Sequence, residues 1–156
     1  SRCAWGGSFM LDAAVQRRHD LRTRRWCYRI ARVRSAIGEF ADALDADLCA
    51  AGVAAAPRRQ LATVLDELLA NVVMHARQGR GNVHVRLQYR DGRIVARLRY
   101  RTAPFDPTAH VSARSPAALA DAAIGGAGIA LVRALTQRFT YRYQRGENRV
   151  RVEVAT

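Results

Sequence analysis

The stretch E-L-L-A-N-V-V-M-H-A runs from Glu67 to Ala76, and about fifty residues later G-G-A-G-I runs from Gly125 to Ile129. On a helix, Glu67 and Asn71 lie one turn apart on the same face. A carboxylate and a carboxamide so placed suit a proton acceptor and a magnesium ligand. Glycines at the start of a helix leave backbone N–H groups open to phosphate. The two stretches therefore predict the two halves of one nucleotide pocket.

The first stretch belongs to a long amphipathic helix pattern. At about 100° per residue, Glu67, Asn71 and His75 form a polar stripe that borders the apolar face, where a cleft can open. Gly79 and Gly81 then end the helix. The apolar face itself keeps helical spacing through Leu61, Val64, Leu65, Leu68, Leu69, Val72, Val73 and Ala76.

Strand patterns fill much of the remaining chain. Asp91-Gly92 supplies the positive φ angles of a type I′ turn, which predicts a hairpin over residues 83–100. A second hairpin over 139–154, with its turn at Gly146 to Asn148, closes the chain. The other predicted elements are a helix over 30–48, a strand over 21–27 and a helix after Gly128. Tight turns and alternation predict an α+β two-layer sandwich, with a mostly antiparallel sheet covered on one face by helices.

Length and composition fit a single domain. The 156 residues are 49% hydrophobic, which is enough for one buried core. Residues 1–20 show no clear period and are expected to be an N-terminal segment, either disordered or of non-native origin, before a domain over 21–156. No apolar run approaches the roughly 18 residues of a membrane helix, and no secretory signal pattern begins the chain. We therefore expect a cytoplasmic protein without a membrane partner.

The charge is carried by arginine alone. The formal net charge is +13, and all 26 basic residues are arginine. Without lysine, neither a Walker A loop nor the strand lysine of eukaryotic-type kinases is available. Eight arginines fall between Arg17 and Arg34. This block suits nucleic acid or an acidic protein surface, or is simply a solvated face. Trp26 and Tyr28 within it suit base stacking or anchoring to the core.

Five motifs in one order resemble a known superfamily. They are I-A-R-V-R at 30–34, E-x-x-x-N-x-x-x-H-A at 67–76, P-F-D-P at 104–107, G-G-x-G-I-x-L-V-R at 125–133 and the closing aromatic hairpin. Over roughly residues 21–154 the chain resembles the ATP-binding superfamily of gyrase, a heat-shock chaperone, histidine kinases and MutL. Within it, the chain is most similar to small bacterial anti-sigma factors that are also serine-protein kinases. The resemblance implies the histidine-kinase-like ATPase fold.

The resemblance also implies roles for individual residues. Asn71 would bind Mg²⁺ between the phosphates of ATP, and Glu67 would be the catalytic base toward a serine hydroxyl of a partner. Residues 109–124 would form a lid over ATP. The other nucleotide-binding residues implied are His75, Ala76, Tyr100, Thr102, Phe105, Gly125, Gly126, Ala127, Gly128 and Ile129.

One part of the family pattern is changed. The strand before the P-F-D-P loop ordinarily ends in D-x-G, whose aspartate accepts a hydrogen bond from adenine, and here Tyr100 and Thr102 occupy those two positions. A lost buried hydrogen bond to a base costs on the order of 1 to 3 kcal/mol. The phosphate and magnesium groups are retained, so the adenine end of the pocket is the part in question.

Three functional hypotheses follow. In the first, the chain is a homodimeric anti-sigma factor and serine/threonine-protein kinase that binds a sigma factor and phosphorylates a STAS-domain anti-anti-sigma protein. In the second, it is a degenerate binding module with weak or no ATP binding. The third is direct DNA binding through the arginine block, ranked last because no DNA-reading motif accompanies the charge.

Overall fold

Six strands and three helices make up the described parts of the chain, which in this computed structural model are residues 14–75, 81–109 and 126–156. The strands form one antiparallel sheet in the order β1-β2-β3-β4-β6-β5. The predicted α+β fold class is confirmed. In chain order the elements are β1 (Val15–Asp20), β2 (Arg25–Ile30), α1 (Arg34–Ala50), α2 (Ala55–His75), β3 (Val83–Arg90), β4 (Arg93–Tyr100), α3 (Gly126–Leu135), β5 (Arg138–Gln144) and β6 (Glu147–Ala155).

Two hairpins turn on pairs of residues with positive φ. Asp91 and Gly92 have φ of 54° and 68°, which confirms the type I′ turn between β3 and β4. Arg145 and Gly146, at 55° and 73°, make the same turn between β5 and β6. The prediction of this second turn at Gly146 to Asn148 was wrong, because the pairing of Gln144 with Glu147 already places Asn148 inside β6.

The first hairpin also differs from the prediction. The strand expected near residues 21–27 exists with shifted bounds, because residues 21–24 form a turn and β2 begins at Arg25. A further strand, β1, pairs with β2 along its whole length, from Val15 with Ile30 to Asp20 with Arg25. The hairpin thus straddles residue 20, where the sequence analysis placed the start of the domain.

Helix α1 begins later than its apolar pattern predicted. Ile30 belongs to β2, and Val33 precedes the helix in extended conformation, with φ of −129°. Ile30 fits both a helical and a strand pattern, because it lies three residues before Val33 and two after Tyr28. Trp26, Tyr28 and Ile30 are all about 1% exposed, so Ile30 follows the strand period of two and not the helical period. The two aromatic residues therefore anchor the arginine block to the core.

The core lies between one face of the sheet and the helices. Alternate residues of the strands face α2, whose predicted apolar stripe is buried from Leu61 to Val72. Tyr28 also donates a hydrogen bond of 2.7 Å to Asp47 of α1, which accepts another from Arg17 at 3.1 Å. These bonds attach the first hairpin to α1. Among the described helices, none is long and apolar enough to cross a membrane.

Candidate functional site

Helices α2 and α3 lie antiparallel with two contacts that fix their register. Near one end, Gln60 donates a 2.6 Å hydrogen bond to the carbonyl of Leu135. Near the other end, the carboxylate of Glu67 lies against Gly128. The contacts are seven residues apart on both helices, which corresponds to about 10 Å of helix axis. The start of α3 is therefore held beside the middle of α2, next to the predicted polar stripe.

Gly128 leaves the room that the Glu67 side chain occupies. A Cβ atom built on Gly128 would overlap Glu67 Oε2 and would lie 2.9 Å from Glu67 Cδ. Any larger residue would therefore displace the carboxylate. The two sequence stretches, fifty residues apart, meet at this point. The contact places a carboxylate on the first turn of a helix that carries no acidic residue of its own there.

Asn71 lies one turn further along α2 and is buried, with 8% of its surface exposed. No described residue accepts a hydrogen bond from its side-chain nitrogen Nδ2. A buried amide without a partner costs roughly 1–3 kcal/mol, so such a group is kept where a ligand or water can satisfy it. Glu67 is half-buried beside it. The predicted polar stripe thus does border the core, as its spacing required.

The remaining predicted residues of this end are only partly described. His75 is the last residue of α2, and its side chain, like Ala76 and Gly125, lies outside the described residues. Gly126 and Ala127 open α3. Ile129 is 2% exposed and packs in the core, so it positions the helix start from inside. The predicted lid over 109–124 also lies outside the described residues, apart from Ala109.

At the other end of the expected pocket, Tyr100 closes strand β4 on its core face and is 4% exposed. Burial raises the pKa of its hydroxyl, with added repulsion from Tyr141 and Asp106 and an opposing effect of Arg32. The group is therefore a neutral hydroxyl that both donates and accepts hydrogen bonds. In place of the expected adenine-binding carboxylate stands an aromatic side chain that is itself part of the core.

Asn148 holds the loop that follows β4, and it is a residue that sequence reasoning missed. It is completely buried, and its Oδ1 accepts from Phe105 N at 3.1 Å and from the Tyr141 hydroxyl at 2.7 Å. Its Nδ2 donates to Thr102 Oγ1 at 2.8 Å and to the carbonyls of Thr102 and Ala103. Thr102 and Phe105 are thus brought together by one amide. The available signal was the period of two that Asn148 shares with Val150, Val152 and Val154 on the core face.

The loop is also attached to α3. Asp106 accepts hydrogen bonds from both the backbone N and the hydroxyl of Thr108, which shape the turn. Arg133 donates to the carbonyl of Thr108, and its guanidinium lies 6.0 Å from the centre of the Phe139 ring. Arg133 therefore links helix α3 to the loop.

A separate groove lies between α1 and α2, with a volume of about 180 Å³. Asp66, Ala70 and Met74 of α2 face Arg34 and Gly38 of α1 across it. None of the predicted site residues that the structure describes lines this groove. The polar stripe of α2 and its groove side are thus distinct surfaces of one helix.

Comparison with known proteins identifies the family to which the chain belongs. The family described as histidine kinase-like ATPase domain matches residues 28–154, most of the chain. The chain belongs to this family. The predicted superfamily is therefore confirmed, and members of the family in general bind ATP with Mg²⁺. No curated protein matches the sequence significantly.

A solved structure has the same fold. A chain in the crystal structure of the SiaB–SiaC complex from Pseudomonas aeruginosa matches with a TM-score of 0.54 and 19% sequence identity. The match covers 86% of this chain and 92% of that one. At 19% identity, this similarity shows a shared fold.

The contact between Glu67 and Gly128 can be tested by a double-mutant cycle. Alanine in place of a helical glycine ordinarily raises the free energy of unfolding by about 1 kcal/mol. We expect this gain for Gly38→Ala, since a Cβ there meets nothing within 4 Å. Gly128→Ala should raise the free energy of unfolding by less than this, because it displaces the Glu67 carboxylate. In a chain that already carries Glu67→Ala, Gly128→Ala should give the full increase. Urea denaturation measures all four variants; equal gains at both glycines without coupling to Glu67 would refute the contact.

The role of Asn148 gives a second prediction. Asn148→Ala leaves Phe105 N and the Tyr141 hydroxyl without their acceptor, so it should lower the free energy of unfolding by about 2–4 kcal/mol. Tyr141→Phe removes a single hydrogen bond to the same atom and should cost about 1 kcal/mol. Chemical denaturation compares the two. If both variants lower the free energy of unfolding by the same small amount, Asn148 does not hold the loop.

Proposed function

We propose that the chain is an ATP-dependent serine/threonine-protein kinase of a partner-switching module. The observation that carries this proposal is the placement of the Glu67 carboxylate against the glycine-rich start of α3. A proton acceptor and an anion-binding helix end then lie side by side. Phosphoryl transfer to a hydroxyl needs this combination, because the reaction depends on positioning and charge more than on covalent catalysis.

The residues present fit a nucleotide at its phosphate end. The first turn of α3 holds no acidic residue of its own, and the one carboxylate that lies against it, that of Glu67, would have to share the helix start with the phosphates. Asn71 has a buried amide whose nitrogen finds no acceptor among the described residues. An amide oxygen is a ligand that Mg²⁺ accepts alongside phosphate and water. The side-chain oxygen of Asn71 would hold the metal, as the resemblance implies, its unpartnered nitrogen would donate to a phosphate oxygen, and Gly125, Gly126 and Gly128 would surround the phosphates.

The remaining steps fall to the side chains of the chain. Bound magnesium-ATP would supply the transferred phosphoryl group. Glu67 would orient the serine hydroxyl of a partner and accept its proton. Ile129, buried beneath the helix start, keeps the backbone N–H groups of α3 in place. His75 and Ala76 would close the pocket at the end of α2.

The partners follow from the same proposal. We infer an anti-anti-sigma protein with a STAS domain as the phosphorylated partner, a sigma factor as the protein held in the alternative state, a homodimer as the assembly and the cytoplasm as the location. The structural neighbour supports partner binding, since it was crystallised as a complex of SiaB with SiaC. The fold shared with this neighbour supplies the surfaces on which such exchange would occur.

A second candidate function is a binding module that has little or no affinity for ATP. Tyr100 favours it, because the side chain that replaces the expected carboxylate is buried in the core. Thr102, at the expected glycine position, is held by Asn148. Loss of the adenine contact alone corresponds to roughly tenfold to hundredfold weaker binding. In this alternative, switching would depend on competition between partners.

Phosphoryl transfer separates the two candidates. We expect a STAS-domain protein encoded beside this chain's gene to gain phosphoserine when incubated with the protein and labelled magnesium-ATP. Glu67→Gln should lower the initial rate by roughly 10²–10⁴-fold, the usual contribution of a general base. Asp66→Asn is the matched control, since Asp66 is an exposed carboxylate on the neighbouring position of α2, and it should retain the rate.

Three results would contradict the kinase proposal or the role of Glu67 in it. Binding of the antagonist without nucleotide, together with no phosphoserine, would leave the binding-module function. A rate unaffected by Glu67→Gln would show that Glu67 is not the base. Equal losses in Glu67→Gln and Asp66→Asn would assign the effect to the charge of the helix.

A further inference from the structure

The face of the sheet opposite the helices is dominated by arginine. Core-facing residues alternate with outward-facing ones along each strand, so the pairing register identifies the outward positions. On strands β3 to β6 these positions hold nine arginines against two glutamates. We call this set the arginine face. Its arginines are Arg86, Arg90, Arg93, Arg97, Arg99, Arg138, Arg142, Arg149 and Arg151. All described helices pack on the other face, where the core lies.

The arginines lie directly opposite one another. Arg86 of β3 pairs with Arg97 of β4, which pairs with Arg151 of β6. Neighbouring strands are about 4.8 Å apart, and like charges at such positions destabilise a sheet. Partial desolvation and repulsion by Arg151 lower the pKa of Arg97. A second row joins Arg99, Arg149 and Arg142 across β4, β6 and β5.

The acidic residues on this face neutralise only part of the charge. Glu147 accepts two hydrogen bonds from Arg99, at 2.9 and 2.8 Å, and one from Arg149 at 2.9 Å. The Glu153 carboxylate accepts a hydrogen bond of 2.5 Å from the Arg151 guanidinium and lies 3.9 Å from the Arg138 guanidinium. Within the described part of the chain, Arg93, Arg97 and Arg142 form no ion pair. The fold thus maintains a repulsive, cationic surface that its own stability does not require.

The composition of the face distinguishes between possible anionic partners. No phenylalanine, tyrosine or tryptophan occupies an outward position on any of the six described strands, where the imidazole of His84 on β3 is the one outward ring. Binding of single-stranded nucleic acid relies on stacking of bases on aromatic side chains. Protein interfaces centre on buried aromatic or apolar anchors, which are likewise missing here apart from small residues such as Val95. A broad surface of guanidinium groups alone matches a phosphate backbone, whose oxygens accept paired hydrogen bonds from arginine.

We propose that the arginine face binds the phosphodiester backbone of double-stranded nucleic acid without reading its sequence. The interaction is independent of the nucleotide site, since it uses the opposite face of the sheet. It also differs from the arginine block that the sequence suggested. Within that block, Arg17 faces the helices and pairs with Asp47, whereas the face proposed here is formed by the later strands.

Binding can be measured by fluorescence anisotropy with the full chain and a labelled DNA duplex of about 20 base pairs. We expect the logarithm of the association constant to fall linearly with the logarithm of the salt concentration, by about 0.9 per neutralised phosphate. The variant Arg97→Gln with Arg142→Gln leaves every ion pair of the face intact. It should reduce the slope by about two and weaken binding at 0.1 M salt on the order of tenfold to a hundredfold.

Control variants distinguish binding by the arginine face from an effect of net charge or of misfolding. Arg34→Gln with Arg59→Gln removes two exposed charges from α1 and α2 and should leave the slope unchanged. Arg97→Lys with Arg142→Lys retains both charges and should retain most of the binding. Duplexes of unrelated sequence should bind equally. A parallel titration with duplex RNA decides whether the backbone recognised is that of DNA, of RNA or of both.

Several results would overturn the proposal. One is the absence of duplex binding at low salt. Another is an equal loss of affinity in the two glutamine pairs, which would assign binding to net charge alone. Tighter binding of single-stranded DNA would contradict the argument from missing aromatic residues. Tighter binding of polyglutamate would show that the face serves an acidic protein.

Discussion

The close approach of α2 and α3 is the constraint on which the candidate site depends. The Glu67 carboxylate fills the space left by the missing side chain of Gly128, and Gln60 fixes the far end through Leu135. Ile129 and Val132 anchor α3 in the core from the other side. A carboxylate, a buried amide whose nitrogen has no acceptor among the described residues, and a helix start are thus placed together by packing.

The two faces of the sheet divide the chemistry. On the core face, the valines of β6 continue into Asn148, whose amide holds the loop that carries Thr102 and Phe105. On the outward face, the same strands present rows of arginine that repel one another. The period of two along each strand separates these roles completely. Tyr100 marks the point where the core-facing pattern departs from the family's adenine-binding sequence.

Sequence alone predicted the elements that depend on local residue types and spacing. The spacing of apolar residues located α2, and Asp91-Gly92 located its hairpin, because positive φ angles restrict the residue types. Strand β1 escaped prediction since V-Q-R-R-H-D has no alternation and pairs on one side only. Ile30 satisfied two periods at once. Gly146 and Asn148 suggested a turn over residues 146–148, although the turn is formed by Arg145 and Gly146. The contact of Glu67 with Gly128 joins residues distant in sequence; residue types and spacing predicted that the two stretches share one pocket, but not which residues touch.

The central claim is that α2 and α3 form a site for a magnesium nucleotide. Calorimetric titration of the full chain with magnesium-ATP at millimolar concentration tests this most directly. The account predicts saturable heat that Asn71→Ala abolishes, while Asp66→Asn, at a position of α2 that faces the groove, leaves it unchanged. No heat from the unaltered chain, or the same heat from Asn71→Ala, would contradict it.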